Sequence, residues 1–248
     1  MPAEIKIQDV SYSYKTGQEA LKNIHLEIKA GEKFGIIGPM GAGKSTLLLH
    51  LNGIFSGEGR VMIDDTEVCK KNLPVIRKKV GIVFQNPDDQ LFNPTVEEDV
   101  AFGPLNFGFG EEEVRSMVDQ ALDEMNLKGY EKRISHHLSM GEKKRVAIAT
   151  VLATRPEVIA FDEPFSSLDP MMIRQLVSII KELNSTVIIV SQSFLPLVAC
   201  CQRVAVMNKG IITAIGPTLE ILKNEDLLLE NGIDLSLYKA ICRELFFQ

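Results

Sequence analysis

Gly38-Pro39-Met40-Gly41-Ala42-Gly43-Lys44-Ser45-Thr46 is the stretch of sequence that decides the fold. It follows the apolar run 34–37 and precedes three leucines at 47–49, so a short strand should enter a glycine-rich turn and then a helix that begins near Lys44. Glycines let the backbone curl so that several N–H groups face one point, and the positive end of the helix is directed at the same point. These features predict a loop that binds a polyphosphate, and residues 38–46 are called the phosphate loop below.

Each residue type in the phosphate loop has an expected role. Lys44 should reach the β- and γ-phosphates as a point charge, and Ser45 should place its hydroxyl on an accompanying Mg²⁺ ion. A glycine turn that only joins a strand to a helix is the alternative, but every fixed position of the pattern GxxxxGK(S/T) is filled. We therefore predict that the whole loop contacts a nucleotide: Gly38, Pro39, Met40, Gly41, Ala42, Gly43, Lys44, Ser45 and Thr46.

Composition restricts the class of protein. The chain has 248 residues, 45% of them hydrophobic, which is enough for one large domain or for one domain with a small appendage. Its net charge of −6 argues against a surface built to hold nucleic acid. No apolar run reaches the ~20 residues that would span a bilayer, so any membrane role should be peripheral.

Cysteine spacing gives an expectation about the compartment. Cys69, Cys200, Cys201 and Cys242 form no paired CxxC motif, and the N-terminus has no signal-peptide pattern. A reducing compartment is therefore expected, with Cys200 and Cys201 acting as small apolar packing residues. The histidines show no spacing typical of a metal site: His25, His50, His136 and His137.

Hydrophobic periodicity predicts an α/β fold. Continuous apolar runs at 158–161 and 187–190, separated by a helical pattern at 171–183, are typical of buried parallel strands. An antiparallel hairpin should open the chain, and another should lie at 204–215. The remaining expected elements are strands at 61–63 and 80–84 and helices at 73–78, 111–127 and 142–154, with short helical segments after residue 217.

Two acidic residues follow the predicted strand at 158–161. A nucleoside triphosphatase needs a carboxylate for its metal ion and a group that handles the attacking water. We expect Asp162 to hold Mg²⁺ through its water shell and Glu163 to polarise the water.

Three further segments resemble one family. Leu138-Ser139-Met140-Gly141-Glu142-Lys143-Lys144-Arg145 is similar to the LSGGQ signature of ATP-binding-cassette (ABC) ATPases, Ser166-Ser167-Leu168-Asp169 resembles their D-loop, and Gln85 matches their Q-loop glutamine. The resemblance covers roughly residues 4–217. It implies an α/β P-loop NTPase fold of the ABC ATPase type, with an N-terminal antiparallel β subdomain and a mixed RecA-like core sheet. A helical signature subdomain at about 90–150 would complete an ATP-binding domain at 1–217, before a short helical C-terminal appendage at 218–248.

The same resemblance implies that ATP lies between two subunits of a homo- or heterodimer. Lys44 of one subunit would face Ser139 and Gly141 of the other, although Ser139 alone could simply cap an ordinary helix. Gln85 would contribute to the metal site and to catalysis, and Tyr14 would stack on adenine, with Tyr12 as the alternative.

Residues 84–104 resemble the Q-loop region of energy-coupling-factor (ECF) importers, in particular the cobalt-type ATPases. This implies docking at the cytoplasmic face of the cell membrane, on an integral-membrane coupling subunit that joins a substrate-binding membrane subunit. We expect an exposed loop here that passes strain from the ATP site to the membrane partner; the alternative is a surface loop without a partner. Cobalt, nickel and a vitamin all remain possible cargoes, and family analogy favours a metal ion.

Two positions depart from the family pattern. Gln192 stands where the family carries a histidine, and Met140 stands where it prefers glycine. Glutamine can donate an amide hydrogen bond to the γ-phosphate but cannot take up a proton, so we expect ATP binding with slow hydrolysis, which a heterodimer partner could offset. These departures motivate one alternative function, a soluble ABC-type regulator that uses ATP as a dimerisation ligand, whereas the segment at 86–104 argues against that alternative. A monomeric nucleoside-monophosphate kinase would leave the segments at 138–145 and 166–169 unexplained.

Overall fold

Two β-sheets frame the protein in the computed structural model, which describes residues 1–236. The smaller sheet is antiparallel, with the strand order β2-β1-β4-β5. The larger has the order β10-β9-β3-β8-β7-β6 and is parallel except for β10, which runs antiparallel to β9. The strands are β1 (Ile5–Ser13), β2 (Glu19–Ile28), β3 (Lys33–Ile37), β4 (Glu58–Ile63), β5 (Thr66–Glu67), β6 (Val80–Val83), β7 (Val158–Asp162), β8 (Thr186–Val190), β9 (Arg203–Asn208) and β10 (Ile211–Pro217).

Helices cover the large sheet and connect its strands. They are α1 (Lys44–Leu51), α2 (Leu73–Lys79), α3 (Val96–Asn106), α4 (Glu111–Glu124), α5 (Met140–Leu152), α6 (Pro170–Glu182), α7 (Phe194–Cys200), α8 (Thr218–Lys223) and α9 (Glu225–Glu230), with 3₁₀ turns at Pro87–Asp89 and Ser135–His137. None of the helices within residues 1–236 has the length and apolar character needed to cross a bilayer.

The core has two layers, one on each face of the large sheet. One face packs against α3 to α6, and the other packs against α1, α2 and the antiparallel sheet. Every residue of β3 and β8 is buried, because both faces of these central strands are covered. The prediction of a mixed core sheet and an antiparallel N-terminal sheet is confirmed.

The expectation of an exposed loop at 84–104 is wrong from residue 96 onwards, because residues 96–106 form helix α3; in residues 84–95 the only helical element is the 3₁₀ turn at Pro87–Asp89. Thr95 and Glu98 make a capping box, in which Thr95 N–H donates to Glu98 Oε2 at 2.9 Å. The buried Asp99 also accepts hydrogen bonds from Phe92 N–H (3.0 Å), Asn93 N–H (2.9 Å) and Ser135 Oγ (2.6 Å). Hydrogen bonds therefore fix the backbone of residues 92–95 just before the helix.

Helix α7 was also not expected. It contains Pro196 at its third position, where a missing N–H costs no intrahelical hydrogen bond. Cys200 and Cys201 at its end are both buried, as predicted for small packing residues.

The C-terminal appendage is helical as far as the structure describes it. Ile221, Leu222, Leu228 and Ile233 are buried in the same core cluster as the helices of the large sheet. The described part of the appendage therefore covers the core. The predicted helical positions Tyr238, Ile241 and Leu245 lie outside the described residues, and a domain limit at residue 217 stays a prediction.

Candidate nucleotide-binding site

The phosphate loop joins β3 to α1 at the centre of the large sheet. Gly41 and Gly43 have φ values of 76° and 99°, which favour glycine. A Cβ added at Gly43 would lie 2.4 Å from the carbonyl oxygen of Ala20, whereas one added at Gly41 would meet no atom within 4 Å. The loop is thus packed tightly at Gly43 and open at Gly41. The first N–H groups of α1 have no intrahelical partners, so they can bind an anion there.

Lys44 is buried under the loop. Its Nζ donates to the carbonyl oxygens of Gly38 and Pro39, each at 2.8 Å. Burial lowers the pKa of Lys44, while the neighbouring carboxylates of Glu163 and Asp162 act in the opposite direction.

Asp162 ends β7 and lies beside the start of α1. Burial raises the pKa of its carboxyl group, against a hydrogen bond from the Ser45 side chain and the charge of Lys44. Its Oδ1 is buried and has no hydrogen-bond partner in the part of the chain that the structure describes.

Glu163 follows Asp162 directly, and both its backbone and its carboxylate form hydrogen bonds. Its N–H donates to the carbonyl oxygen of Val190 at 2.9 Å, and its Oε2 accepts from the N–H of Gln192 at 3.1 Å. Burial raises the pKa of Glu163, and Oε1 has no partner within residues 1–236. Lys44, Asp162, Glu163 and Gln192 therefore meet at the carboxyl ends of β3, β7 and β8.

These groups fit a magnesium nucleotide. Asp162 Oδ1 and Glu163 Oε1 are buried without partners in the described residues, and the Asp162 side chain also accepts a hydrogen bond from the Ser45 side chain. Mg²⁺ prefers such oxygen ligands. No cluster of three or more His, Cys, Asp or Glu side chains in the described region could hold a metal by itself. Mg²⁺ is commonly bound through one or two carboxylates together with substrate phosphates, which matches this donor set.

Comparison with known proteins decides the family. The model for the family described as ABC transporter matches residues 21–166. The energy-coupling factor transporter ATP-binding protein EcfA of Methanothermobacter thermautotrophicus is 49% identical over 230 residues, covering 90% of this chain and 74% of that protein. The chain belongs to the ABC transporter ATPases. The family predicted from the sequence motifs is confirmed.

Solved structures of other ABC ATPases have the same fold. The structure of cbiO1 from Clostridium perfringens, described as part of the ABC transporter complex cbiONQ, is 35% identical and aligns with a TM-score of 0.81 over 98% of this chain and 100% of that one. A dimeric post-hydrolysis state of the ATP-binding cassette MJ0796, bound to ADP and Pi, is 30% identical with a TM-score of 0.80, over 86% and 98% of the two chains.

The signature segment of this ABC ATPase begins α5. Ser139 caps the helix and forms a capping box with Glu142, whose carboxylate also accepts from Tyr130 Oη at 2.8 Å. The Ser139 hydroxyl and N–H, followed by Tyr130, lower the pKa of Glu142 to about 2. Within residues 1–236 no hydrogen bond or ion pair joins Ser139 or Gly141 to Lys44, and their contact with a nucleotide stays a prediction.

Two other predicted site residues, Tyr14 and Gln85, differ in their contacts. The Tyr14 hydroxyl shares a 2.6 Å hydrogen bond with Thr46 Oγ1, and its ring packs edge-on against Tyr12 and Phe55. Gln85 is exposed just after β6, and its side chain makes no hydrogen bond within the described part of the ATPase. Adenine stacking by Tyr14 and the metal and catalytic roles of Gln85 stay predictions.

Gln90 is a residue that sequence reasoning missed. Its Nε2 donates to Ala147 O and Thr150 Oγ1, each at 2.7 Å, and its Oε1 accepts from Phe84 N–H at 3.1 Å. This side chain ties the segment after Gln85 to α5. No local pattern marks it, because the α5 partners lie 57 and 60 residues away in the chain.

Proposed function

We propose that this ABC ATPase is the ATP-hydrolysing subunit of an ECF-type importer, peripheral to the cytoplasmic face of the cell membrane. The observation that supports it most is the convergence of Lys44, Asp162, Glu163 and Gln192 beside the phosphate loop. The similarity to EcfA and to cbiO1 supports the importer class. The cargo would be a small substrate, either a metal ion such as cobalt or nickel or a vitamin.

The loop would bind ATP through backbone N–H groups and Lys44, while Tyr14 would contact adenine. Mg²⁺, when bound, would neutralise charge on the β- and γ-phosphates, and Ser45, Gln85 and Asp162 would hold it. Glu163 would orient the attacking water and accept its proton, because the Gln192 N–H already fixes one carboxylate oxygen and leaves the other free of partners. The Gln192 amide would donate to the γ-phosphate.

A second ATPase subunit would complete the site. Ser139 and Gly141 lie at the start of α5, which is a second anion-binding helix end. We propose that they close over the nucleotide held by Lys44 of the partner, in a homodimer or a heterodimer of ABC ATPase subunits. ATP would then hold the pair closed, and loss of the γ-phosphate would let it reopen.

The surface beside α3 is the proposed contact with the membrane subunit. Phe92 and Phe102 are 60% and 46% exposed, with ring centroids 4.8 Å apart, and Leu105 is 51% exposed. Phe102 and Leu105 line a cavity of about 580 Å³ between α3 and α4. Exposed apolar side chains at the edge of a groove suit an amphipathic helix from a partner. Gln90 would connect this surface to α5 and to the segment that follows Gln85.

The ATP-driven pairing can be tested with Glu163→Gln, which should bind ATP without hydrolysing it. With the ATPase subunits that co-purify from native membranes, this variant should sediment as a dimer in MgATP and as a monomer without nucleotide. Lys44→Ala in the same background should stay monomeric. An absence of nucleotide-dependent pairing would contradict the proposal.

The importer assignment needs a separate experiment. The complex should be isolated from its native membrane, and each subunit and any bound cargo identified by mass spectrometry. Phe102→Asp should release the ATPase from integral-membrane subunits, while Val75→Asp, at a 52% exposed apolar residue on α2, should not. An ATPase that pairs with ATP but co-purifies with no membrane protein would be a regulator instead.

A further inference from the structure

Lys144 is a buried cation on α5, and the proposed nucleotide chemistry does not use it. It is 6% exposed, and its Nζ donates to Glu163 O at 3.2 Å, to Ser166 Oγ at 2.7 Å and to Ser166 O. It forms no ion pair with a carboxylate within residues 1–236. An ammonium group is costly to bury when all its acceptors are uncharged oxygens, so its burial here indicates a specific role for the charge.

The acceptors belong to the turn that carries Glu163. The backbone is left-handed at Glu163 (φ 48°) and Ser167 (φ 59°), which side-chain-bearing residues rarely adopt. Ser166 closes the turn through its N–H and Oγ, which donate to Glu163 O at 3.2 and 2.9 Å. Lys144 completes the hydrogen bonding of this strained turn, which directs the Glu163 carboxylate.

Lys144 also lies one helical turn beyond Gly141. A Cβ added at Gly141 would lie 2.7 Å from Met172 Cε, so the start of α5 is in close contact with the start of α6. The turn at 163–166 is followed, after residues 167–169, by α6. These contacts join the signature end of α5 to the catalytic turn of the same chain.

We propose that Lys144 is a positioning residue that links the partner-facing start of α5 to the turn carrying Glu163. A nucleotide gripped by Ser139 and Gly141 at one site of the dimer would thereby order the catalytic carboxylate of the other site. This inference rests on the proposed ATP-driven pairing. It adds a connection between the two sites within each chain.

Lys33 provides a matched control. It is 7% exposed, and its Nζ also donates to backbone carbonyls, those of Leu183 (2.7 Å) and Ser185 (2.8 Å). Burial lowers the pKa of both lysines. Lys33 begins β3, at the opposite end of the strand from the phosphate loop. Lys33→Met therefore removes the same kind of contact at a remote place.

The test uses the assembled ATPase pair and compares Lys144→Met, Lys144→Arg and Lys33→Met. In the Glu163→Gln background, hydrogen exchange of residues 163–168 is measured with and without MgATP. ATP should slow exchange there in the parent and in Lys33→Met. In Lys144→Met it should slow exchange in the phosphate loop only, with the pair still forming.

Steady-state hydrolysis supplies the second readout, with Glu163 intact. Lys144→Met should lower kcat by about tenfold or more and change KM by less than about threefold, while Lys144→Arg should restore most of kcat. The inference is overturned if Lys144→Met keeps the ATP-dependent protection at 163–168, or if Lys33→Met loses kcat equally. If the parent does not pair in MgATP, the proposed function itself fails. If the parent pairs but Lys144→Met behaves like it, only the inference about Lys144 fails.

Discussion

Gln192→His tests whether one side chain limits the rate of hydrolysis. The backbone N–H of Gln192 holds Glu163 Oε2 at 3.1 Å, and no side-chain substitution removes that bond. Gln192 is exposed, and its side chain has no hydrogen-bond partner in the described region. The substitution should therefore change the free energy of unfolding by less than about 0.5 kcal/mol.

The expected gain follows from the chemistry of the two side chains. Removing a well-placed donor from a site of developing charge costs about 2.7–4 kcal/mol, or 10²–10³ in rate. A carboxamide keeps an N–H donor but cannot carry the charge or the proton of an imidazole. We therefore expect Gln192→His to recover about half of that energy, roughly 1.4–2 kcal/mol, which corresponds to a rise in kcat of about 10–30-fold.

Phosphate release by the assembled complex is the assay, with Gln192→Ala as the variant that has no donor. The expected order of kcat is alanine, then glutamine, then histidine, with similar affinities for a fluorescent ATP analogue. If Gln192→His stays within about twofold of the parent while Gln192→Ala falls, the amide already supplies the needed contact and the reasoning about the missing imidazole is refuted.

Three further predictions concern stability. Gly43→Ala should lower the urea midpoint far more than Gly41→Ala, because only the former places a Cβ 2.4 Å from Ala20 O; left-handed strain alone should cost Gly41→Ala about 1–2 kcal/mol. Glu142→Gln should destabilise the protein at pH 7 but progressively less as the pH falls from about 4.5 towards 2. The reason is that the folded-state pKa of Glu142 is lowered to about 2, so the stabilisation by its carboxylate is lost through that range. Urea titrations at pH 7 and 3.5 measure the difference in the free energy of unfolding between the parent and the variant. Gln90→Leu should cost about 2 kcal/mol or more by leaving its partners on Phe84 and α5 unsatisfied, lowering Tm by several degrees, and an unchanged Tm would contradict it.

The elements best predicted from sequence are those with an unambiguous local cause. Strands β7 and β8 are covered on both faces, so their residues are continuously apolar and the runs at 158–161 and 187–190 mark them directly. The phosphate loop is recognisable because its geometry requires glycine at particular positions. Helix α3 was missed although Thr95 and Glu98 form a capping box, since Gly103 and Pro104 near its end are typical of a loop.

The site residues were likewise predicted where a local sequence pattern marks them and missed where it does not. Parallel strands end at one edge of a sheet, so a phosphate loop after β3 and carboxylates after β7 are expected to meet, and Lys44 does lie beside Asp162 and Glu163. The supporting contacts of Gln90 and Lys144 could not be foreseen. Their partners are distant in sequence, and a glutamine after Asp89 or a lysine in a helix is ordinary composition for an exposed surface.

The buried polar atoms explain why this fold is prepared for a ligand. Asp162 Oδ1 and Glu163 Oε1 are buried without hydrogen-bond partners in the described chain, and each such group costs about 1–3 kcal/mol. Lys44 turns to two backbone carbonyls and not to either carboxylate. A magnesium nucleotide would supply a cation and water for the two oxygens and phosphates for Lys44, so its binding would relieve a penalty that folding alone leaves in place. The Glu163 carboxylate accepts from the Gln192 N–H, and the Glu163 backbone carbonyl accepts from Lys144 on α5. Under the proposed pairing, the relief would therefore act on the turn that α5 contacts and would couple nucleotide binding to dimer closure.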